Sequence, residues 1–415
     1  MPDAPCHPTL DQPTVYELRL RGHLGSQWAE WFEGATITHT GTGDTVLICS
    51  LADQAALYGL LKKARDVGIP LLAVNQIEST SSFVSQGKLT MKAVVYTQYG
   101  PPEVLKFETL DKPAPNENQV LVKVQAASLN AADSHLRSAD IFLARLMTGG
   151  LLKPKDPRLG SDLAGRVEAV GSNVTRFKPG DEVFGSGAGA FAEYALARET
   201  ALALKPANVS FEAAATIPIA ALTALQGLRN TGQIQPGQRV LIQGASGGVG
   251  MFAVQIAKAL GAEVTGVCST RNMDMVRSIG ADHVIDYTRE DFTHNGQQYD
   301  LILAVNGYHP LLAYRRALSP RGRYVFVGAT TARLLQAMLE ASLLGPMVSK
   351  PGQQQMGSMG IAKINAEDLA FMAELLEAGK VVPVIDHSYP LSEIVQAFRH
   401  LEDKHAQGKV IITMA

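Results

Sequence analysis

The run Gly244 to Gly250 reads Gly-Ala-Ser-Gly-Gly-Val-Gly. It sits between an apolar stretch, Val240 to Gln243, and a segment, Met251 to Gly261, patterned as a buried helix. A strand that turns through glycines into a helix is suited to hold phosphate. The glycines allow a tight turn and a close approach of backbone to ligand, and the helix N-terminus points N–H groups at the charge. Set against the fingerprint G-x-G-x-x-G, the first glycine is Ala245 here. Gly244, Ser246, Gly247, Gly248, Val249 and Gly250 are therefore the candidate pyrophosphate contacts. The strand before, the helix after and the βαβ repetition around them favour dinucleotide binding over a plain structural turn.

The next strand, Glu263 to Val267, bears on which dinucleotide. An NAD site usually ends this strand in Asp or Glu, which holds the ribose hydroxyls. Here it runs into Cys268, Ser269, Thr270 and Arg271. A carboxylate repels a 2′-phosphate, whereas hydroxyls and a guanidinium hydrogen-bond it. The expected cofactor is NADPH, with Ser269, Thr270 and Arg271 on its 2′-phosphate. Tyr287, at the end of HVIDY, is placed to flank the same phosphate or the adenine.

Three regions of different texture carry these residues. Val15 to Leu24 alternates as a strand. Ala35 to Thr40 and Thr45 to Leu51 read as a hairpin around Gly41 and Gly43, and Pro70 to Ile77 as a further strand. Asp53 is the expected cap of a helix with Ala56, Leu57, Leu60, Leu61 and Ala64 on one face. Trp28 and Trp31, at i, i+3 spacing, read as core or interface packing. The expectation is a small α+β accessory module over 1–78 and a Ser- and Thr-rich linker over 79–90. From Met91, short strands with Gly and Pro turns predict a β-rich, barrel-like domain. From about Phe211, apolar strands alternate with helices, from RVLIQG to GRYVFVG. That is the pattern of a doubly wound parallel sheet.

Charge and composition narrow the function classes. Lys plus Arg is 37 and Asp plus Glu 39, a formal net charge of −2, which argues against a nucleic-acid binder. The apolar run Leu334 to Val348 is too short for a membrane helix and is interrupted by Glu340 and Pro346. The 3 Cys include no C-x-x-C pair, which suits a reducing cytoplasm.

From Met91 to the C-terminus the chain resembles the medium-chain dehydrogenase/reductase superfamily, in its zinc-independent quinone oxidoreductase branch. The stretches that carry the resemblance include MKAVVYTQYGPPEVL, VQAASLNAADSHLR, RLGSDLAGRVEAVG, FKPGDEVFG, IPIAALTAL, GASGGVG, STRN, GADHVIDY and HAQGKVIIT. The fold class implied is α/β: a Rossmann doubly wound parallel sheet plus a GroES-like β-rich domain. The implied domains are a GroES-like catalytic domain at 91–217, a Rossmann NADPH-binding domain at 218–350 and a C-terminal segment, 351–415, completing the catalytic domain. Membership implies hydride transfer from NADPH to a quinone or enone, and a homo-oligomer, expected to be a dimer, with neither nucleic acid nor membrane as partner.

Zinc-dependent members carry Cys where this chain has Asn130 and His-Glu where it has Ser161 and Asp162. The resemblance thus implies no metal site, and His135 alone is no plausible ligand. Without a Lewis acid, an acceptor that spreads the new charge into a phenolate or enolate is favoured over a simple aldehyde. The implied catalytic residues are Asn130, His135 and Thr223. The family usually has Tyr at the second position, so His135 is either a proton donor or a space-filling residue paired with Asp133. Further cofactor contacts implied are Asn306, Gly307, Val327 and Gly328 at strand ends, and His405, Ala406 and Gln407 in the segment that crosses back over the cofactor. The family's Arg is Gln407 here. Thr330 to Pro351 is expected to line the substrate pocket or a subunit contact. Enone, enoyl or alcohol dehydrogenase-like activity is the alternative within the enzyme class, and an NADPH-binding redox sensor with little turnover is the alternative outside it.

Overall fold

The structure is a computed structural model. It describes residues 14–25, 28, 31–32, 35–40, 43–51, 54–77, 89–139, 150, 153–305, 309–328, 336, 339–345, 349, 352–403 and 407–414. Two compact units divide the chain after Lys88.

The first unit contains β1 (Thr14–Leu20), β2 (Thr36–His39), β3 (Thr45–Leu51), a helix over Gln54–Asp66 and β4 (Leu71–Ile77). The strands pair antiparallel in the order β2-β3-β1-β4. Alternation decides the faces: Leu18 and Leu20 are buried, and Arg19 between them is exposed. They pack with Leu47, Cys49 and Leu51 of β3 and with Leu60 and Ala64 of the helix. Trp28 packs against this core, and Trp31, half exposed, meets it edge-on at 6.4 Å. The expected cap Asp53 and residues 79–88 of the expected linker lie outside the described residues.

In the second unit, β5 (Thr90–Val95) pairs with β6 (Lys106–Asp111). Thr90 already belongs to β5, so the expected linker reaches into this strand. Strands β7 (Gln119–Ser128), β8 (Asp162–Val170), β9 (Glu182–Ala188) and β10 (Tyr194–Leu204) form an antiparallel sheet in which β10 also pairs with β7, closing a barrel. The chain then builds β11 (Arg239–Gln243), β12 (Glu263–Cys268), β13 (His283–Asp286), β14 (Tyr299–Ala304), β15 (Leu318–Phe326) and β16 (Gln355–Ser358). These pair in parallel, in the order β13-β12-β11-β14-β15-β16, the doubly wound arrangement. The central strands are continuous apolar runs because helices cover both faces. The helix Gly248–Ala259 is itself buried nearly all round, from Gly250 to Ala257. In β12, Gly266 lets the helix Met273–Ser278 pack closely: a Cβ there would lie 2.5 Å from Val276. Finally β17 (Ile385–Pro390) and β18 (Lys409–Thr413) return to the barrel, where β18 pairs with β7.

One expected boundary moves. The parallel sheet was expected to end by residue 350, but β16 adds its sixth strand beyond that point. The return to the barrel begins later, with β17. Among the described residues no helix is long and apolar enough to cross a membrane.

Candidate active site

The glycine turn sits at the carboxyl end of β11, in the crevice where open parallel sheets bind ligands. Gly244 turns with φ +84°, and the N–H groups of Gly244 and Ala245 both donate to Val267 O at 3.0 Å. Gly247 caps the helix that starts at Gly248. The first-turn N–H groups of a helix have no intrahelical acceptor, so this end can take an anion. At Gly250 the space is occupied: a Cβ would lie 2.0 Å from Gly244 O. At Gly247 it is open, with no protein atom nearer than 3.6 Å to an added Cβ. A turn that leaves such a cradle at its helix cap fits a pyrophosphate.

The C-terminal segment closes onto this turn. Gly408 N–H donates to Ser246 O at 3.1 Å, and Gly247 and Gly408 form a parallel bridge. Gln407 Nε2 donates to Asn272 Oδ1 at 2.7 Å, and Asn272 Nδ2 to Ser246 Oγ at 2.8 Å. The structure therefore brings Gln407 to the turn together with Gly244, Ser246, Gly247, Gly248, Val249 and Gly250. Asn272, buried and central to this junction, is a residue that sequence reasoning passed over for its charged neighbour Arg271. His405, Ala406, Asn306 and Gly307 lie outside the described residues. Val327 and Gly328 follow β15, and both N–H groups donate to Ala304 O at the end of β14, so they stand at the same sheet edge.

Beyond β12, Ser269 is half-buried while Thr270 and Arg271 are exposed. The Thr270 hydroxyl donates to Asp286 Oδ2. That bond, with the hydroxyl and N–H of Thr288, holds the Asp286 carboxyl below the usual carboxylate range, against the effect of burial. Thr270 is thus committed to a neighbour. Tyr287 is 63% exposed beside them, its N–H donating to Cys268 O.

On the barrel side a buried polar cluster surrounds Asn130, which precedes the helix Ala131–Ser138. Asn130 N–H donates to Asp133 Oδ2 at 2.8 Å, and Asn130 Nδ2 donates to Asp162 Oδ2 at 2.9 Å. Lys409 Nζ donates to Asn130 Oδ1 at 2.6 Å and to Leu129 O at 2.8 Å. Asp162 Oδ1 accepts from Ile219 N–H at 3.1 Å, which ties in the helix Pro218–Gln226 that carries Thr223. Burial pushes the Asp133 carboxyl up to about 7, against the Asn130 N–H. Burial likewise pushes Asp162 up to about 6, against the Lys409 charge and the bonds from Asn130 and Ile219. Burial pulls Lys409 down, against the two carboxylates.

The other expected catalytic residues are less enclosed. His135 and Thr223 are half-buried. Asp133 is turned inward to the Asn130 N–H, and side chains two apart on a helix do not face each other, so the expected pairing of Asp133 with His135 is not what holds this carboxylate. A lysine ammonium already sits on the Asn130 oxygen, and the Asp162 oxygens are taken by an amide and a backbone N–H. Among the described residues no cluster of His, Cys, Asp or Glu could hold a metal.

A glycine turn at the edge of a doubly wound sheet, joined by the C-terminal segment to an antiparallel barrel, is the arrangement of a dinucleotide-dependent oxidoreductase. Comparisons agree. Residues 116–207 match the family model described as the alcohol dehydrogenase GroES-like domain, residues 279–412 that of zinc-binding dehydrogenases, and residues 15–75 a domain of unknown function. A chloroplastic quinone-oxidoreductase of Triphysaria versicolor is 34% identical over 79% of this chain and 99% of its own length. An NADPH-dependent alkenal/one oxidoreductase of Arabidopsis thaliana, also chloroplastic, is 34% identical over 78% of this chain and 79% of its own. The solved quinone oxidoreductase of Coxiella burnetii, 31% identical, superposes with a TM-score of 0.68 over 79% of this chain and all of that one. The chain belongs to the medium-chain dehydrogenase/reductase superfamily, in its quinone oxidoreductase branch, and is an oxidoreductase of that class.

Proposed function

We propose that the chain transfers hydride from NADPH to a quinone or an α,β-unsaturated carbonyl, without a metal. The observation that carries this reading is the junction at Gly408 and Lys409, where the glycine turn and the buried Asn130 meet. NADPH, when bound, supplies the hydride. Gly244 to Gly250 seat its pyrophosphate, closed over by Gln407. Ser269 and Arg271 take the 2′-phosphate, with Tyr287 beside them, and Val327 and Gly328 border the nicotinamide end. Asn130, Thr223 and His135 face the acceptor. The second Asn130 N–H lies 3.4 Å from Ser128 O, a loose bond that a ligand can replace. The Thr223 hydroxyl has no hydrogen bond among the described residues and is a second donor for developing negative charge. An acceptor that delocalises its charge suits this metal-free set of hydrogen-bond donors.

A dedicated enone or enoyl reductase is the narrower second reading, favoured by the alkenal/one oxidoreductase at the same identity as the quinone enzyme. The sensor alternative gains no support, since these relatives are named as oxidoreductases. We place the chain in the cytoplasm, which accords with Cys268 as a buried free thiol. The test is NADPH oxidation, followed by absorbance, against panels of quinones, enones and simple aldehydes, before and after treatment with a chelator. Turnover of a quinone or enone that survives the chelator is expected. Turnover of aldehydes alone, or a rate lost on chelation, would overturn the proposal.

A further inference from the structure

Lys409 opens β18 and is 3% exposed. Its ammonium donates to neutral oxygens, Leu129 O and Asn130 Oδ1, rather than directly to a carboxylate. Asp162 and Asp133 act on it only from a greater distance. Burying a charge on neutral partners is costly for stability alone. It does, however, dictate which way an amide faces. An ammonium can only donate, so the Asn130 atom it meets must be the oxygen. The Asp162 carboxylate accepts, so it takes the nitrogen, at 2.9 Å. A flipped amide would set N–H groups against an ammonium and an oxygen against a carboxylate. The orientation of Asn130 is therefore fixed from both ends.

The same lysine touches the cofactor turn. Its neighbour Gly408 is hydrogen-bonded to Ser246 and bridged to Gly247. Its stem lies over Gly248, where an added Cβ would stand 2.9 Å from Lys409 Cδ. One side chain thus packs on the turn at its stem and holds the Asn130 amide at its head.

We propose that Lys409 is a positioning residue that sets the Asn130 amide relative to the cofactor turn. This rests on the reading of Asn130 as a donor to the acceptor. The experiment compares wild type, Lys409→Met, Asp162→Asn and the double variant Lys409→Met/Asp162→Asn by thermal melting, NADPH titration and steady-state kinetics. It adds the Asn130 side-chain amide resonances, assigned by their loss in Asn130→Leu. Lys409→Met is expected to lower kcat by ~10²-fold, the effect of a misplacement near 1 Å, with the NADPH Kd changed by less than about threefold. It is also expected to move the Asn130 amide resonances. The double variant, which removes a buried charge of each sign, is expected to recover melting temperature but not kcat. Recovery of kcat in step with melting temperature would reduce Lys409 to a structural role and overturn the proposal, as would unmoved Asn130 resonances. Wild-type protein that turns over neither quinones nor enones would sink the functional reading alone, and the resonances would still decide the part played by Lys409.

Discussion

Two alanine substitutions three positions apart in the turn, Gly247→Ala and Gly250→Ala, separate what the glycines do for the fold from what they do for a ligand. At Gly250 a Cβ would lie 2.0 Å from Gly244 O and 2.9 Å from Ala245 Cα. Ordinary contact begins near 3.4 Å, so backbone must move by more than an ångström, and both the helix start and the turn are disturbed. At Gly247 the nearest atom is Gly244 O at 3.6 Å, and φ −81°, ψ 172° is extended backbone that alanine adopts freely. Less unfolded-state entropy favours alanine there by ~0.4–1 kcal/mol. The poorer N-cap disfavours it, by a few tenths less than the roughly 0.5–2 kcal/mol lost when a Ser or Asn cap becomes Ala. The two nearly cancel, so the Gly247→Ala apoprotein should melt within a few degrees of wild type, and Gly250→Ala clearly lower. NADPH should report the opposite ranking of information. If the pyrophosphate passes over Gly247, the added methyl stands where the ligand approaches most closely. Kd should then rise by ~10²-fold, about 2.7 kcal/mol. Melting curves without ligand, followed by NADPH titration by fluorescence, give both quantities. A Gly247→Ala protein that binds NADPH as tightly as wild type would refute the placement of the cofactor on this turn.

Arg271→Ala should reduce the preference for NADPH over NADH by tens-fold, since a charge-assisted hydrogen bond contributes ~1.5–3 kcal/mol. Thr270→Ala should change it less, because that hydroxyl is already held by Asp286; equal effects in ratio measurements would count against the assignment. If His135 donates a proton, His135→Phe should lower kcat by ~10²–10⁴-fold, more for enones than for quinones. If it shapes the wall, KM should shift and kcat should hold, and single-turnover rates on one enone and one quinone distinguish the two. Asp162 and Asp133 keep protons in the fold, at about 6 and about 7, that the unfolded chain releases near 3.8. Their favourable contribution is complete below the unfolded value and is lost as pH rises through 6 to 7. Asp162→Asn should therefore show a smaller fall in melting temperature between pH 5 and pH 8 than wild type, and an unchanged fall would refute the buried carboxyl as its source.

The parallel sheet was legible because its central strands are buried on both faces. RVLIQ in β11 and YDLILA in β14 are apolar runs that need no partner to be recognised. The first unit was legible for the complementary reason: one covered face imposes alternation, visible in Leu18, Arg19 and Leu20. β16 escaped because it satisfies neither condition. It is a four-residue strand at the sheet edge, Gln-Met-Gly-Ser, with Met356 alone buried. Nothing in such a segment has a period, and only the β15 ladder makes it a strand.

The candidate site was legible where its chemistry is carried by consecutive residues, and hidden where the partners come from distant strands. The turn is local: strand, glycines and helix all lie between Arg239 and Ala259. Asn130 could be recognised as the residue standing in place of a metal ligand, but what holds it could not. Its amide oxygen is bound by a lysine 279 positions away, and its nitrogen by an aspartate 32 positions away. The three meet only because β18 pairs with β7 and β7 with β8, which sets Ile411 and Asp162 both opposite Ser128. Read along the chain, Lys409 is one more cation before an apolar strand, a position that usually means a solvated edge. In the fold that strand end lies between the barrel and the cofactor turn, so the same ammonium is buried, and its only direct acceptors among the described residues are the oxygens of Leu129 and Asn130. Burial turns a residue of little local information into the one whose hydrogen bonds determine how Asn130 is presented.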